Sequence, residues 1–303
     1  MIKQRELVEE ILELKRKLGA VIVAHNYQRP EVQDIADFVG DSLELSRRCT
    51  EVEAEAIVFC GVQFMAETAA ILNPTRTVLL SEAKAGCPLA DMIDEKALRD
   101  WKRKYPEATV VAYVNSSAAV KAESYICCTS ANGVKVVESV PSDNILFVPD
   151  YNLGHFISKQ VDKNVILFPG FCIVHHRLTL DKVKRAKELH PEAKLIVHPE
   201  CRPEVIELAD AALSTSQMLR YVKESEHQSF IIGTEEGLLH RLKKENPSKS
   251  FYLIGDNQIC ADMKLTTLET LYETMKHRRN VVSVPEEIAA KAREAIERML
   301  KVG

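Results

Sequence analysis

Cys87, Cys172 and Cys260 stand 85 and 88 residues apart. Each follows, within a few residues, a short apolar run at 77–80, 164–168 or 250–254. In a reducing compartment a cysteine is by default a free, buried thiol, and after that a metal ligand. The eight cysteines contain no Cys-x-x-Cys pair, so a metal site here must gather residues distant in sequence. Three thiolates on a 4Fe–4S cubane leave one iron open, and an open iron is a Lewis acid for a substrate carboxylate or hydroxyl. A catalytic zinc ion also keeps a position open and is the alternative; soft, all-thiolate ligation favours the cluster. Cys49, Cys60, Cys127 and Cys128 lie in or beside apolar patterns, where cysteine packs as a small hydrophobe. Cys201 follows Glu200 and stands near candidate chemistry.

The elements that must bring these cysteines together repeat. Short β-branched runs alternate with helical patterns along the chain, which predicts parallel βαβ units. First strands at 21–24, 109–114 and 194–197 end in His25-Asn26-Tyr27, Tyr113-Val114-Asn115 and His198-Pro199-Glu200. Second strands end at Asp41-Ser42, Thr129-Ser130 and Ser214-Thr215-Ser216. Third strands at 56–59, 144–148 and 229–232 exit into Cys60-Gly61, Pro149-Asp150 and Gly233-Thr234-Glu235. The fourth strands are the runs that precede the three cysteines. A helix pattern opens each series, at 5–18, 91–104 and 179–190, and two more close the chain, at 265–276 and 285–302.

The period of roughly 86 residues exceeds the 20–50 of a solenoid. It predicts an α/β fold of three similar α/β/α sandwich domains, each with a four-stranded parallel sheet, at 1–90, 91–177 and 178–303, the last including the closing helices. Ligands of parallel sheets bind beyond the carboxyl ends of the strands, where every polar landmark above falls. Packed about a pseudo-threefold axis, the three domains would bring their equivalent loops, and one cysteine each, to a central active site.

Composition narrows the partners. Hydrophobic residues make up 46% and charged residues 28%, with a net charge of −4. No basic stripe suits nucleic acid. No apolar run approaches the ~20 residues that cross a bilayer, and the charged N-terminal segment lacks a signal-peptide core. These features predict a cytoplasmic protein that binds neither nucleic acid nor membrane.

The segments 24–27, 112–115, 128–132, 168–175, 198–201 and 214–216, taken in order over essentially the whole chain, resemble the signature segments of quinolinate synthases. The resemblance implies three stacked α/β domains with pseudo-threefold symmetry and a 4Fe–4S cluster held by Cys87, Cys172 and Cys260. It implies iminoaspartate and dihydroxyacetone phosphate as substrates, and a functional link to an enzyme that makes iminoaspartate. By position it assigns catalysis to His25, Tyr27, Tyr113, His175, His198 and Glu200. Substrate binding falls to Ser42, Asn115, Ser130, Ser214 and Thr215, shared with His25, Tyr113, His198 and Glu200.

Histidine suits proton transfer near neutral pH. Ser and Thr at helix starts suit anions, although N-capping alone also selects them. Glu200 is expected to act as a base or an orienting group, and one domain to move to admit substrate. Two departures stand out: no cysteine follows Cys260, so a C-terminal redox disulfide seen in some family members is excluded, and Gln217 follows Ser-Thr-Ser where Gly is common. Two rivals remain at this point: the diphthamide-type radical enzymes, which also bring one cysteine from each of three domains to a cluster, and an iron–sulfur sensor.

Overall fold

The computed structural model describes residues 2–302. Three four-stranded sheets are present among them, all parallel, and each is drawn from one contiguous stretch of chain. The first contains β1 (Ala20–His25), β2 (Phe38–Gly40), β3 (Ala56–Cys60) and β4 (Thr77–Leu80). The second contains β5 (Thr109–Tyr113), β6 (Ile126–Cys128), β7 (Asn144–Val148) and β8 (Asn164–Leu167). The third contains β9 (Lys194–Val197), β10 (Ala211–Ala212), β11 (Ser229–Gly233) and β12 (Ser250–Leu253). Each sheet is ordered second–first–third–fourth. The direction of winding therefore reverses between the first and third strands of each unit, and that reversal opens a crevice at their carboxyl ends.

Side chains alternate between the faces of a strand, and the cores follow that rule. In β1, Ile22 and Ala24 enter one apolar cluster and Val23 another. In β11, Phe230 and Ile232 face one way and Ile231 the other. The strands are nearly continuous apolar runs because helices cover both faces.

The three units do not share their cores equally. One apolar cluster runs from the first sheet through both faces of the second. The third sheet has two clusters of its own, one on each face. The closing helices follow the third unit in sequence, yet pack elsewhere. Helix Leu268–His277 lies on the N-terminal helix Ile2–Lys17 and on β4, burying Leu268, Leu271 and Met275 beside Ile11 and Leu79. Helix Glu286–Val302 lies across helices Gln63–Leu72 and Ala118–Ala122 and against β6. Its Ala289, Ala292, Ala295, Ile296 and Met299 enter the cluster shared by the first two units. No described helix is long and apolar enough to cross a membrane.

The C-terminal helix therefore seals the joint between the first two units. Met299 is fully buried there, and Met→Ala at such a site costs about 2–5 kcal/mol. Met299→Ala is expected to lower unfolding stability by about that amount in a denaturant titration; a change under ~0.5 kcal/mol would show that the helix is dispensable to that core.

Candidate active site

The carboxyl ends of the three sheets enclose one cavity. It is lined from the first unit by His25, Tyr27, Ser42 and Cys87, from the second by Tyr113, Asn115, Ser130, Cys172 and His175, and from the third by His198, Glu200, Thr215 and Cys260. Val62, Phe64, Met65, Val174 and Met263 supply apolar walls. Of the residues assigned to the site from sequence, Ser214 is the one outside this lining. Its hydroxyl accepts the Gln217 N–H at 3.4 Å as the N-cap of helix Thr215–Glu224, and donates to Asp41 Oδ2 at 3.3 Å. Gln217 completes the capping box by accepting the Ser214 N–H at 2.9 Å, and its Nε2 donates to the Ala131 carbonyl at 3.2 Å. Gln217 thus ties the third unit to the second.

Glu200 sits at the centre, 2% exposed. Its Oε2 lies 2.6 Å from His175 Nδ1 and 3.6 Å from His198 Nδ1. Burial pushes the carboxyl pKa up, but His198, His175 and a hydrogen bond from the Tyr113 hydroxyl outweigh it and hold it at about 2. Glu200 is therefore ionised; His175 Nδ1 lies 2.6 Å from its Oε2 and 3.2 Å from Cys172 Sγ, and a proton on Nδ1 suits the carboxylate. In the neutral ring with its proton on Nδ1, His175 Nε2 accepts from the Thr234 hydroxyl at 2.9 Å, and Thr234 Oγ1 accepts from the Tyr27 hydroxyl at 2.6 Å. The result is one directed chain, Tyr27 to Thr234 to His175 to Glu200. Burial raises the Tyr27 hydroxyl pKa well above its ordinary range, with the Glu200 charge adding to it, so Tyr27 remains a phenol. The other carboxylate oxygen, Glu200 Oε1, is buried with no protein partner, as is Asn115 Oδ1. Buried polar atoms of native proteins are normally satisfied, so the two orphans in this cavity mark places for ligand donors.

The other two histidines share one local design. His25 Nδ1 accepts the N–H of Tyr27 at 3.2 Å, and His198 Nδ1 accepts the N–H of Glu200 at 3.3 Å, each two residues on. With Nδ1 accepting, a neutral ring carries its proton on Nε2. Burial drives the His25 pKa down to about 4, opposed by the Asp41 and Glu200 charges. Burial drives that of His198 down to about 3, against the pull of Glu200. Both rings are neutral donors at pH 7, and His198 Nε2 lies 3.2 Å from Ser130 Oγ.

The cysteines divide as the repeat implies. Cys87, Cys172 and Cys260 are partly exposed, while Cys49, Cys60, Cys127, Cys128 and Cys201 are buried. Burial pushes the Cys87 thiol to about 12 and that of Cys260 to about 11. Neutral thiols of this kind become thiolates when metal displaces their protons. Carboxylates, two of them buried, brace the loops around them. Cys172 N–H donates to Asp150 Oδ2 at 3.0 Å, Cys260 N–H to Glu235 Oε1 at 3.1 Å, and Gly86 N–H to Asp262 Oδ1 at 3.2 Å. Asp150 and Glu235 occupy the same place in their units, just beyond the third strand. Among the described residues the three sulfurs do not form a group within 4.8 Å of one another, which disfavours one ion shared by all three. The three line one cavity, and the terminal thiolates of a cubane sit on separate irons, so an all-thiolate donor set suits a 4Fe–4S cluster better than a single ion.

Thr234, Asp150 and Glu235 contact site residues and are absent from the site assignment made from sequence. Their only sequence signal is their place at the third-strand exits, beside the cysteine loops in the repeat.

Comparison with known proteins agrees with this architecture. A family model described as quinolinate synthetase A protein matches residues 9–301. A quinolinate synthase of Thermodesulfovibrio yellowstonii is 57% identical over 294 residues, 97% of each chain. One of Dehalococcoides mccartyi is 56% identical over 293 residues, again 97% of each. Quinolinate synthase 1 of Methanosarcina acetivorans is 53% identical over 301 residues, 99% of each. A cavity with one partly exposed cysteine from each unit, together with matches at this identity along both full lengths, places the chain in the quinolinate synthetase A family.

Proposed function

We propose that the chain condenses iminoaspartate with dihydroxyacetone phosphate to give quinolinate, phosphate and water, as the quinolinate synthase of NAD synthesis. Iminoaspartate then has to be delivered by a separate enzyme that produces it. Residues 1–90, 91–177 and 178–303 are taken as three domains related by a pseudo-threefold arrangement about the cavity, with the tail lent to the first two. The single observation that carries the reading is the directed chain from Tyr27 through Thr234 and His175 to an ionised Glu200, which reaches the cavity that all three cysteines line.

The residues divide the work by chemistry. Ser42, Ser130 and Thr215 present hydroxyls to the cavity for the carboxylates and the phosphate. His25 adds a neutral N–H donor, which strengthens toward an oxygen atom as negative charge develops on it, and His198 gives its own N–H to Ser130. Asn115 Oδ1 is an unused acceptor, suited to the imine N–H or a substrate hydroxyl. Ser214 acts one layer out by fixing the start of the helix that carries Thr215.

Cys87, Cys172 and Cys260 would hold the 4Fe–4S cluster, whose open iron supplies Lewis acidity for loss of water when it is bound. Proton transfer belongs to the protein. A substrate proton accepted at the Tyr27 oxygen lets Tyr27 pass its own proton to Thr234, and Thr234 pass its proton to His175 Nε2. The imidazolium so formed is paired with Glu200. Run in reverse, the chain protonates a leaving hydroxyl. Tyr113, beside Glu200, helps to keep the carboxylate ionised. The apolar walls exclude water that would hydrolyse the imine.

One observation favours a second reading. Cys172, His175 and Glu200 offer ligand atoms within 4.8 Å of one another, as a single zinc ion would need. Such an ion would take the nitrogen and oxygen that the proton chain uses. Iron, sulfide and zinc analysis of anaerobically purified protein separates the two readings: iron and sulfide in about equal amount indicate the cluster, zinc without sulfide the ion.

Single replacements Cys87→Ser, Cys172→Ser and Cys260→Ser are expected to abolish the iron–sulfur absorption and quinolinate formation, while Cys49→Ala keeps both. Glu200→Gln is expected to keep iron and sulfide and to lower kcat about 10²–10⁴-fold; turnover equal to the parent's would remove Glu200 from the mechanism. For the metal-free protein, the unfolded chain binds protons on His25 and His198 below their ordinary value of 6.5, while the folded chain resists until about 4 and about 3. Stability should therefore fall as pH drops from 6.5 through that window, by roughly 3–5 kcal/mol per histidine when complete. Urea titrations between pH 7.5 and 4.5 check this, and a flat profile would contradict neutral buried rings.

A further inference from the structure

Asn26 separates two cavity residues, His25 and Tyr27, but is not part of the lining itself. Its side chain is fully buried and reaches from the first unit to the third. Nδ2 donates to Thr215 Oγ1 at 2.9 Å. Oδ1 accepts from Arg241 Nη1 at 3.2 Å. Arg241 is itself anchored, donating from Nη1 to the Val39 carbonyl at 2.9 Å and from Nε to Glu245 at 2.6 Å.

The chemistry of these groups leaves one arrangement. A guanidinium only donates, so the edge of the Asn26 amide that meets Arg241 must be its carbonyl. The opposite edge, facing Thr215, must then be the NH2. Thr215 Oγ1 is therefore an acceptor toward the protein, and its proton is left over. Thr215 opens its helix, where no carbonyl four residues earlier belongs to that helix, and among the described residues its hydroxyl donates to no protein acceptor. It is 2% exposed and lines the cavity. The remaining outlet for that proton is a ligand acceptor.

We infer that Asn26, locked by Arg241, is a positioning residue that makes Thr215 an obligate hydrogen-bond donor to an anionic group of the substrates. This rests on the reading of the cavity as the site of two anionic substrates. The chemical class recognised is a carboxylate or phosphate oxygen, since both accept and neither donates when ionised.

Asn26→Asp tests the polarity of the bond with almost no change of shape. The aspartate keeps an acceptor for Arg241, but its second oxygen can only accept from Thr215, which turns the hydroxyl proton away from the cavity. Binding of inorganic phosphate and of succinate to the cluster-loaded protein is measured by calorimetry, alongside KM for both substrates. Asn26→Asp is expected to weaken at least one of the two anions, and to raise the KM of the matching substrate, about tenfold to a hundredfold. Iron and sulfide content stay at the parent level. Thr215→Ala should show a similar loss, and adding Asn26→Asp to it should cost nothing more.

Arg241→Met is a milder second variant should Asn26→Asp fail to fold. It frees the amide to rotate and should weaken the same anion by about two- to fivefold. Parent-like anion binding in the folded variants, losses that add in the double variant, or a Thr215→Ala protein that binds both anions as the parent does would each overturn the inference. A parent that shows this binding pattern yet forms no quinolinate would leave the inference standing and sink the functional reading instead.

Discussion

A carboxylate that stays ionised inside a protein sets the terms for everything around it. Glu200 is almost wholly withdrawn from water, and a buried charge is tolerated only where donors surround it. Here the close polar neighbours, His175 and Tyr113, come from the second unit. In a neutral His175 ring, an Nδ1 proton committed to Glu200 leaves Nε2 to accept, which orients the Thr234 hydroxyl and then the Tyr27 hydroxyl in turn. With a neutral His175, one buried charge sets the direction of the hydrogen bonds in the proton chain. The unpartnered Glu200 oxygen is what remains for the ligand.

The same logic governs the anion-binding hydroxyls. His198 gives its Nε2 proton to Ser130, and Asn26 gives an amide proton to Thr215. Each hydroxyl then has a protein donor on one side and its own proton directed elsewhere. A serine or threonine is ambiguous on its own, able to donate or accept. A neighbour that can only donate removes the ambiguity before the substrate arrives, so the reorganisation is complete in the folded protein. Such preorganisation is where electrostatic catalysis gains most over water.

Much of this was legible in the sequence because it repeats. Four strand exits and a cysteine recur in phase, and a strand exit in a parallel sheet is a place where ligands bind. The pairing of His25 with His198 was visible the same way, and the structure gives it a cause in the backbone N–H two residues on. What escaped the sequence depends on contacts between units. Thr234 looks like any polar residue after a strand until Tyr27 and His175, 207 and 59 residues away, are seen on either side of it. Ser214 carries the same signal as Thr215, yet capping consumes its hydroxyl. Gln217 departs from a common glycine, and it closes a capping box and bridges two units. The closing helices read as part of the third unit because they follow it, although their apolar faces match the exposed cores of the first two.

That uneven sharing of cores has a chemical consequence. The first two units and the tail are held by a common apolar cluster, whereas the third keeps its core to itself. Many of its links to the others are polar: Thr234 with Tyr27 and His175, Asn26 with Thr215 and Arg241, Ser214 with Asp41, Gln217 with Ala131. Every link of the proton chain crosses between units, from Tyr27 in the first to Thr234 in the third, to His175 in the second, and back to Glu200 in the third. Any displacement of the third unit wide enough to admit two substrates must part these bonds, and the chain can conduct a proton only after they re-form. If this joint is the one that opens the cavity, it is also the one that assembles the acid–base apparatus, so that a reactive imine would meet a working proton relay only once bulk water has been shut out.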